Sequence, residues 1–251
     1  NNIMPKSKDE NLKLMALDEI KKAREFHRSF PQYKETPLVN LKKMAKYLGL
    51  KDIFIKDESY RFNLNSFKVI GASFAMANYI ANEIGKDISE LGYETLMSDY
   101  LQRKIGKTTF FTATDGNHGK AVSWVANKFN QNAVVRMPKG TSKARLENIK
   151  KEGAVVTIED ANYDECVRIV ANEASQVDNG VVIQDTAWEG YREVPTWIMQ
   201  GYGTSALEAG EQLKATGYKR PTHIFVQAGV GSFAAAVQGY FANLYPENCP
   251  T

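Results

Sequence analysis

The sequence predicts an α/β fold in which an open, mostly parallel sheet is covered by helices on both faces. Three observations carry this expectation. Short β-rich runs alternate with helix-periodic segments from residue 108 onward. The intervening segments are long enough for crossover helices, and strands joined that way pair in parallel. Glycine-bearing loops follow several of the runs, which is where such sheets gather ligands.

Taken in order, a polar start leads into ALDEIKKAREFHRSF, residues 16–30, whose apolar residues recur at helical spacing until the two prolines of PQYKETPL end the helix. VNLKKMAKYLG reads as a second short helix stopping at Gly49, and KDIFIKDE as a β-rich run. The loop RFNLNSFK feeds the apolar helix VIGASFAMANYIANEIG, and DISELGYETLMSDYLQRKIG reads as an insertion. The strand-like TTFF, VVRMP, AVVTI and VVIQD then alternate with the helix-like HGKAVSWVANKF, TSKARLENIKKEG and YDECVRIVANEA. WIMQGYGTSALEAGEQLKATG and THIFVQ add a further helix and strand, and the chain closes on a glycine turn and a helix where another strand is expected. The pattern therefore predicts a larger unit that is incomplete at its C-terminal end.

With 251 residues, 43% of them apolar, the chain can bury one sizeable core or two smaller ones. Its 32 basic and 29 acidic side chains nearly cancel and are dispersed, which gives no support to a nucleic-acid groove or a membrane patch. Cys166 and Cys249 lack metal-ligand spacing and suit a reducing cytoplasm, and no metal is expected. NNIMPKSKDENLK has no apolar core of signal-peptide length, and no later apolar run reaches the roughly 18 residues of a membrane span. The expectation is a soluble cytoplasmic protein.

Three loops carry the chemistry. In QAGVGSFAAAV, residues 227–237, Gly229 and Gly231 let the backbone approach a ligand, and the helix that follows offers N–H groups and the Ser232 hydroxyl to a phosphate. The loop also satisfies the dinucleotide fingerprint at Gly229, Gly231 and Ala234, and a bare strand–helix turn remains open. In RFNLNSFKVIGA, Lys68 opens an otherwise apolar helix. Burial disfavours the charged form of a lysine and frees a nucleophilic amine, although a snorkelling lysine fits the same pattern. In TATDGNHGKAVSW, residues 112–124, Asn117 and the helix start offer donors to a carboxylate or a ring hydroxyl. Asp115 is either a helix cap or a group that works beside the bound anion. His118 reads more readily as a packing or capping residue than as a base. An amine for an aldehyde, a loop for a phosphate and a loop for a carboxylate together suit pyridoxal phosphate.

KDESYRFNLNSFK, ATDGNHGK, MPKG, QDTAWEGY, PTWIMQGY and QAGVGSFA, in this order, resemble the 2,3-diaminopropionate ammonia-lyases, pyridoxal-phosphate enzymes of the tryptophan synthase β-like fold, fold type II. The likeness runs from about Lys34 to the last residue. It implies two open, mostly parallel sheets flanked by helices. Residues 1–78 and 187–251 would form a large cofactor domain, truncated at its end, and residues 79–186 a small domain with the anion loop. It implies Lys68 as the Schiff-base lysine with Phe67 beside it, and Asn117 near the cofactor ring. It places Ala228, Gly229, Val230, Gly231 and Ser232 around the phosphate. Ser66, Asp115, Asn117, His118 and Asp185 would bind substrate. Asp115 and Asp185 are implied as the bases for the D- and L-isomers respectively, and a homodimer is the usual assembly. Asn63 stands where the family has glycine, which is tolerable if the backbone there is left-handed. Ser66 replaces an alanine, and Lys120 and Ala121 replace an Arg-Gly pair.

The expected reaction is an α,β-elimination. The substrate amine takes the place of Lys68 on the cofactor, an aspartate removes the Cα proton, ammonia leaves from Cβ, and hydrolysis gives pyruvate and a second ammonia. Asp185 follows the strand VVIQ, where such a base should project, although a turn cap in DTAWEGY is the plain alternative. Trp188 and Tyr191 read as pocket walls or core. The rival readings are a serine or threonine dehydratase, a dinucleotide-binding protein using Gly229 to Ala234, and an inactive fragment that acts in assembly.

Overall fold

A computed structural model describes residues 10–251, so the reading of the polar start as free of a signal sequence falls largely outside the described residues. Four strands, β3 (Thr109–Ala113), β4 (Asn132–Met137), β5 (Val155–Ile158) and β6 (Gly180–Val182), form a parallel sheet in the order β5-β4-β3-β6. The crossovers are α7 (Asn117–Lys128), α8 (Lys143–Lys150) and α9 (Tyr163–Ser175), as the alternation predicts. Alternation along β3 assigns its faces: Phe110 joins the main core with Val122 and Val125 of α7, while Phe111 and Ala113 join Cys166, Val170 and Ala174 of α9. Cys166 is thus a buried core thiol.

Around this sheet lie α1 (Glu10–Lys13), α2 (Leu17–Arg28), α3 (Lys42–Tyr47), α4 (Lys68–Glu83), α5 (Tyr93–Leu96), α6 (Asp99–Ile105), α10 (Glu193–Ala215) and α11 (Ser232–Leu244). The DISELG insertion is helical and supplies Leu91, Leu96 and Leu101 to the main core. At the centre, α4 and α10 pack at backbone contact. A Cβ on Gly201 would stand 2.4 Å from the Ile70 carbonyl oxygen, and one on Gly71 2.4 Å from the Tyr202 ring.

Two element readings need correction. Leu38–Asn40 is a strand, β1, rather than the start of a helix, and it pairs antiparallel with β2 (Phe54–Lys56) through Val39 and Ile55. The helix begins only at Lys42, because the ladder to β2 takes the preceding backbone groups. Among the described residues THIFVQ enters no sheet. Its backbone meets only the chain end, with the Ile224 N–H donating to Thr251 O at 2.8 Å and the Thr251 N–H to Thr222 O at 3.0 Å, and Phe225 is 95% exposed. In the described residues the second of the two expected sheets is therefore represented by the β1–β2 pair.

Candidate active site

The carboxyl ends of β3, β4 and β6 and the N-termini of α4, α7 and α11 surround a cavity of about 750 Å³. Of the residues singled out in the sequence, Phe67, Lys68, Asp115, Asn117, His118, Asp185, Gly229, Val230, Gly231 and Ser232 line it. Ser66 and Ala228 lie outside the lining. The Ser66 hydroxyl accepts the Lys68 backbone N–H at 3.2 Å and so braces the start of α4.

The turn ahead of Lys68 takes positive φ at Phe62 (49°), Asn63 (59°) and Asn65 (59°). Asn63 is left-handed, as its replacement of glycine requires. Asparagine accepts this conformation readily, whereas for phenylalanine it is strained by about 1–3 kcal/mol. The neighbour of Phe62 fixes the turn. Arg61, fully buried, donates to both oxygens of Glu208 on α10 at 2.7 and 2.8 Å and to Glu58 at 2.8 and 2.9 Å. Lys56 Nζ adds a bond to Glu208 at 2.6 Å. This ion network ties the lysine-bearing turn to the central helix.

Asp185 lies just beyond β6, and one of its oxygens, Oδ2, meets three groups. Lys68 Nζ forms an ion pair with it, the Tyr202 hydroxyl donates at 3.4 Å, and His118 Nδ1 stands 3.9 Å away. Burial alone would push this carboxyl up. His118 and Lys68 more than offset that effect and hold Asp185 below the usual carboxylate range. Burial in turn drives His118 down toward the neutral imidazole, which leaves the Lys68 ammonium as the charge that keeps Asp185 ionised near neutral pH. Burial also holds the Tyr202 phenol well above its ordinary value, so it remains a donor. Of its side-chain partners, Lys68 and His118 line the cavity and Tyr202 stands behind it.

Asp115 occupies the opposite environment. Its side chain is 76% exposed and faces Arg145, whose Nη1 donates to the Asp115 carbonyl at 3.0 Å and approaches Oδ2 at 3.5 Å. It does not cap α7. That part is taken by Thr114, whose hydroxyl accepts the N–H groups of Gly116 at 3.0 Å and Gly119 at 3.1 Å.

Several cavity residues escaped the sequence reading. Arg145 comes from α8, Tyr163 from α9, and Lys120 from the second position beyond His118; all three line the cavity. Gln184, fully buried, bonds Ala113 N and O at 3.1 Å each, Thr112 Oγ1 at 3.0 Å and the Tyr163 hydroxyl at 2.6 Å, which fixes the ends of β3 and β6 together. Burial pushes the Tyr163 phenol up to about 12. A polar residue at the end of an apolar strand run was the available signal for Gln184. Trp188 and Tyr191 do not line the cavity. They stack on each other with centroids 4.0 Å apart, and the Tyr191 hydroxyl accepts the Gln184 backbone N–H at 2.9 Å, bracing the turn that carries Asp185.

The glycine loop closes the site. Gly231 has φ 96°, a conformation natural to glycine, and α11 starts directly after it. A Cβ on Gly229 or Gly231 would meet no atom within 4 Å, so the loop wall faces open space. Phe233 stacks on Phe67 with centroids 3.9 Å apart, which sets the start of α11 beside the lysine. A phosphate at the α11 amides and an aldehyde at Lys68 are therefore compatible with one cavity, and the donor set fits pyridoxal phosphate.

Over residues 30–251 the chain matches the family described as pyridoxal-phosphate dependent enzyme, and it belongs to that family. Its α/β architecture is that of fold type II. Within the family the chain is 51% identical to diaminopropionate ammonia-lyase of Salmonella typhimurium over 225 residues, covering 90% of this chain and 55% of that protein. The crystal structure of the apo Escherichia coli diaminopropionate ammonia lyase superposes with a TM-score of 0.88 at 45% identity, covering 94% of this chain and 63% of that one. The same Escherichia coli enzyme in complex with an aminoacrylate-PLP azomethine reaction intermediate matches with a TM-score of 0.85 at 44% identity, covering 94% and 58%. The chain thus spans roughly three fifths of the length of these relatives.

Proposed function

We propose that this chain carries the lysine, the anion loop and the phosphate loop of a diaminopropionate ammonia-lyase, which eliminates both amino groups of 2,3-diaminopropionate to give pyruvate and ammonia. The observation that carries the reading is the meeting of Lys68 and Asp185 in the cavity that the glycine loop also walls. Identity of 51% to an enzyme of that name supports the substrate class. Lys68 would hold the cofactor through its ε-amine, and the loop from Ala228 to Ser232 with the α11 amides would take its phosphate. The cofactor, when bound, supplies the electron sink that makes a Cα proton removable.

The residues of the chain do the rest. Asn117 and the first amides of α7 take the substrate carboxylate, His118 borders it, Ser66 acts from behind by bracing the start of α4, and Phe67 seats beside the cofactor. Asp185 removes the Cα proton of the L-isomer from the buried side. Asp115 serves the D-isomer from the exposed rim. Two bases at different walls of one cavity allow two stereoisomers to react. A serine or threonine dehydratase remains the competing reading for the same cofactor. The carboxylate of Asp115 at the anion loop favours the diamine, since a plain dehydratase needs no second acid there.

We further infer a large unit built from residues 1–78 and 187–251 and a small one from 79–186. Support comes from the separate small clusters of the sheet, Val135, Met137, Ile149 and Val156 on one side and Phe111, Cys166 and Val170 on another, although the main core runs across the boundary through Leu96, Phe110 and Val122. A homodimer acting in the cytoplasm completes the proposal. No helix of the described residues is long and apolar enough to cross a membrane.

The test is direct. The purified holoenzyme should be yellow, and borohydride should bleach it while fixing the cofactor to Lys68. Pyruvate and ammonia are then measured with each diaminopropionate isomer and with serine. A protein that gains no colour with added pyridoxal phosphate, or that turns over serine alone, overturns the proposal.

A further inference from the structure

The atom left unexplained in the cavity is His118 Nδ1. His118 is 5% exposed, and its Nε2 lies 2.9 Å from the Ile183 carbonyl oxygen, which can only accept. Nε2 therefore carries the proton of the neutral ring, and Nδ1 presents a bare lone pair. Nδ1 has no hydrogen-bond partner and faces Asp185 Oδ2 at 3.9 Å. Two acceptors facing each other in a buried site are stable only while a cation stands beside them, and Lys68 is that cation. Both groups address the same carboxylate oxygen. When the Lys68 amine is engaged by the cofactor, Oδ2 loses its ion-pair partner, keeps the Tyr202 hydroxyl as a donor, and has His118 Nδ1 as the basic atom left next to it.

We infer that His118 is the proton partner of Asp185, a positioning residue whose Nδ1 receives through the Asp185 carboxyl the proton taken from the substrate. The inference rests on Asp185 being the base for the L-isomer. In the first step the Cα–H bond breaks, its electron pair stays with the substrate, and an O–H bond forms on Asp185. In the second the O–H bond breaks and an N–H bond forms at Nδ1, giving an imidazolium beside a restored carboxylate. The reverse transfer returns the proton for the departing amine, so ammonia leaves neutral. The groups facing Asp185 are Lys68 from α4, His118 from α7, Tyr163 from α9, Tyr202 from α10 and Tyr191 from the following turn. The phenols are held protonated by burial, which makes His118 the one basic acceptor in the set. Those facing His118 are Asp185 and Lys68.

His118→Gln in the full-length holoenzyme separates this role from a structural one, because the glutamine amide can keep the hydrogen bond to Ile183 while lacking the basic nitrogen. The expected result is an unchanged cofactor absorbance and an L-isomer kcat lower by about 10²-fold, a loss at least about tenfold larger than the one with the D-isomer, because any disturbance of the shared carboxylate site strikes both isomers alike. The limb of the L-isomer pH profile governed by Asp185 should move to lower pH, because the variant lacks the basic nitrogen that shares the proton with the carboxylate. Nitrogen-15 spectra of the apoenzyme, with the His118 signal assigned by its loss in the variant, should show the Nε2-protonated ring. An Nδ1-protonated ring, equal losses with both isomers, or an L-isomer kcat within threefold of wild type would overturn the inference. If the wild-type enzyme releases pyruvate from neither isomer, the functional proposal fails and takes this one with it. If wild type is active and the variant is unimpaired, this one fails alone.

Discussion

Acid should loosen this chain through one residue, Glu208. Burial alone would push its carboxyl up, but the Arg61 guanidinium, bonded to both its oxygens, and the Lys56 ammonium reverse the effect and hold it at about 2 against an ordinary 4.5. The folded value is the depressed one, so the stabilisation is fully present above the unfolded value and is lost as pH falls from about 4.5 toward 2. At about 1.4 kcal/mol per tenfold change in proton affinity, the contribution at neutral pH is on the order of 3 kcal/mol. Glu208→Gln removes it and leaves Arg61 buried with Glu58 as its remaining carboxylate partner. Urea denaturation followed by tryptophan fluorescence, run from pH 7 to pH 3 on both proteins, measures the difference. Wild type should be the more stable by about 3 kcal/mol at pH 7, and the gap should narrow by about 2 kcal/mol by pH 3, roughly 1 M in urea midpoint. Other carboxylates titrate equally in both proteins and cancel. A gap that stays constant across this range would refute the assignment of the ion network as the acid-sensitive element.

Three further outcomes follow from the packing and the site. Gly201→Ala sets a methyl against the Ile70 carbonyl, where backbone rather than a flexible side chain must yield, and should cost about 1–3 kcal/mol in urea denaturation. Because the same contact sets Lys68 against Tyr202, cofactor affinity by absorbance titration should fall with it. Thr114→Val deprives the Gly116 and Gly119 amides of their acceptor and should cost about 1–2 kcal/mol, read by the same denaturation experiment, whereas Asp115→Asn, which touches no cap, should leave stability within about 0.5 kcal/mol. In turnover, Asp115→Asn should depress the D-isomer reaction more than the L, and Asp185→Asn the reverse; parallel losses would defeat the two-base scheme.

The layered α/β plan was readable because it depends on local periodicity. Each β-α-β unit from Thr109 to Val182 follows a run of branched or aromatic residues and then a helical stripe. Two short elements were not readable. Leu38–Asn40 is a strand because β2, fourteen residues on, offers a partner in register, and among the described residues none lies beside THIFVQ. Both outcomes are set by pairing across the chain rather than by the segment itself. The loops of the site could be located because glycine, lysine and asparagine stand at strand–helix junctions. The partners of those residues could not. Arg145 reaches Asp115 across 30 residues and Tyr202 reaches Asp185 through the contact of two helices, and neither spacing leaves a mark in the sequence.

That contrast bears on the two aspartates. Both follow the carboxyl end of a parallel strand, and from sequence each could equally have been a cap. The fold distinguishes them by what surrounds their oxygens. Asp185 is sealed among Lys68, His118 and Tyr202, so its protonation is coupled to the position of the lysine: withdrawing the ammonium takes away the charge that keeps it ionised. Asp115 stands 76% exposed and pairs with Arg145 rather than with Lys68. Under the proposed two-base scheme, the buried aspartate is coupled to the lysine and the exposed one is not. On this reasoning the L-isomer reaction should show a pH dependence that changes when the cofactor lysine is engaged, while that of the D-isomer should instead be sensitive to ionic strength, because added salt screens only the exposed pair.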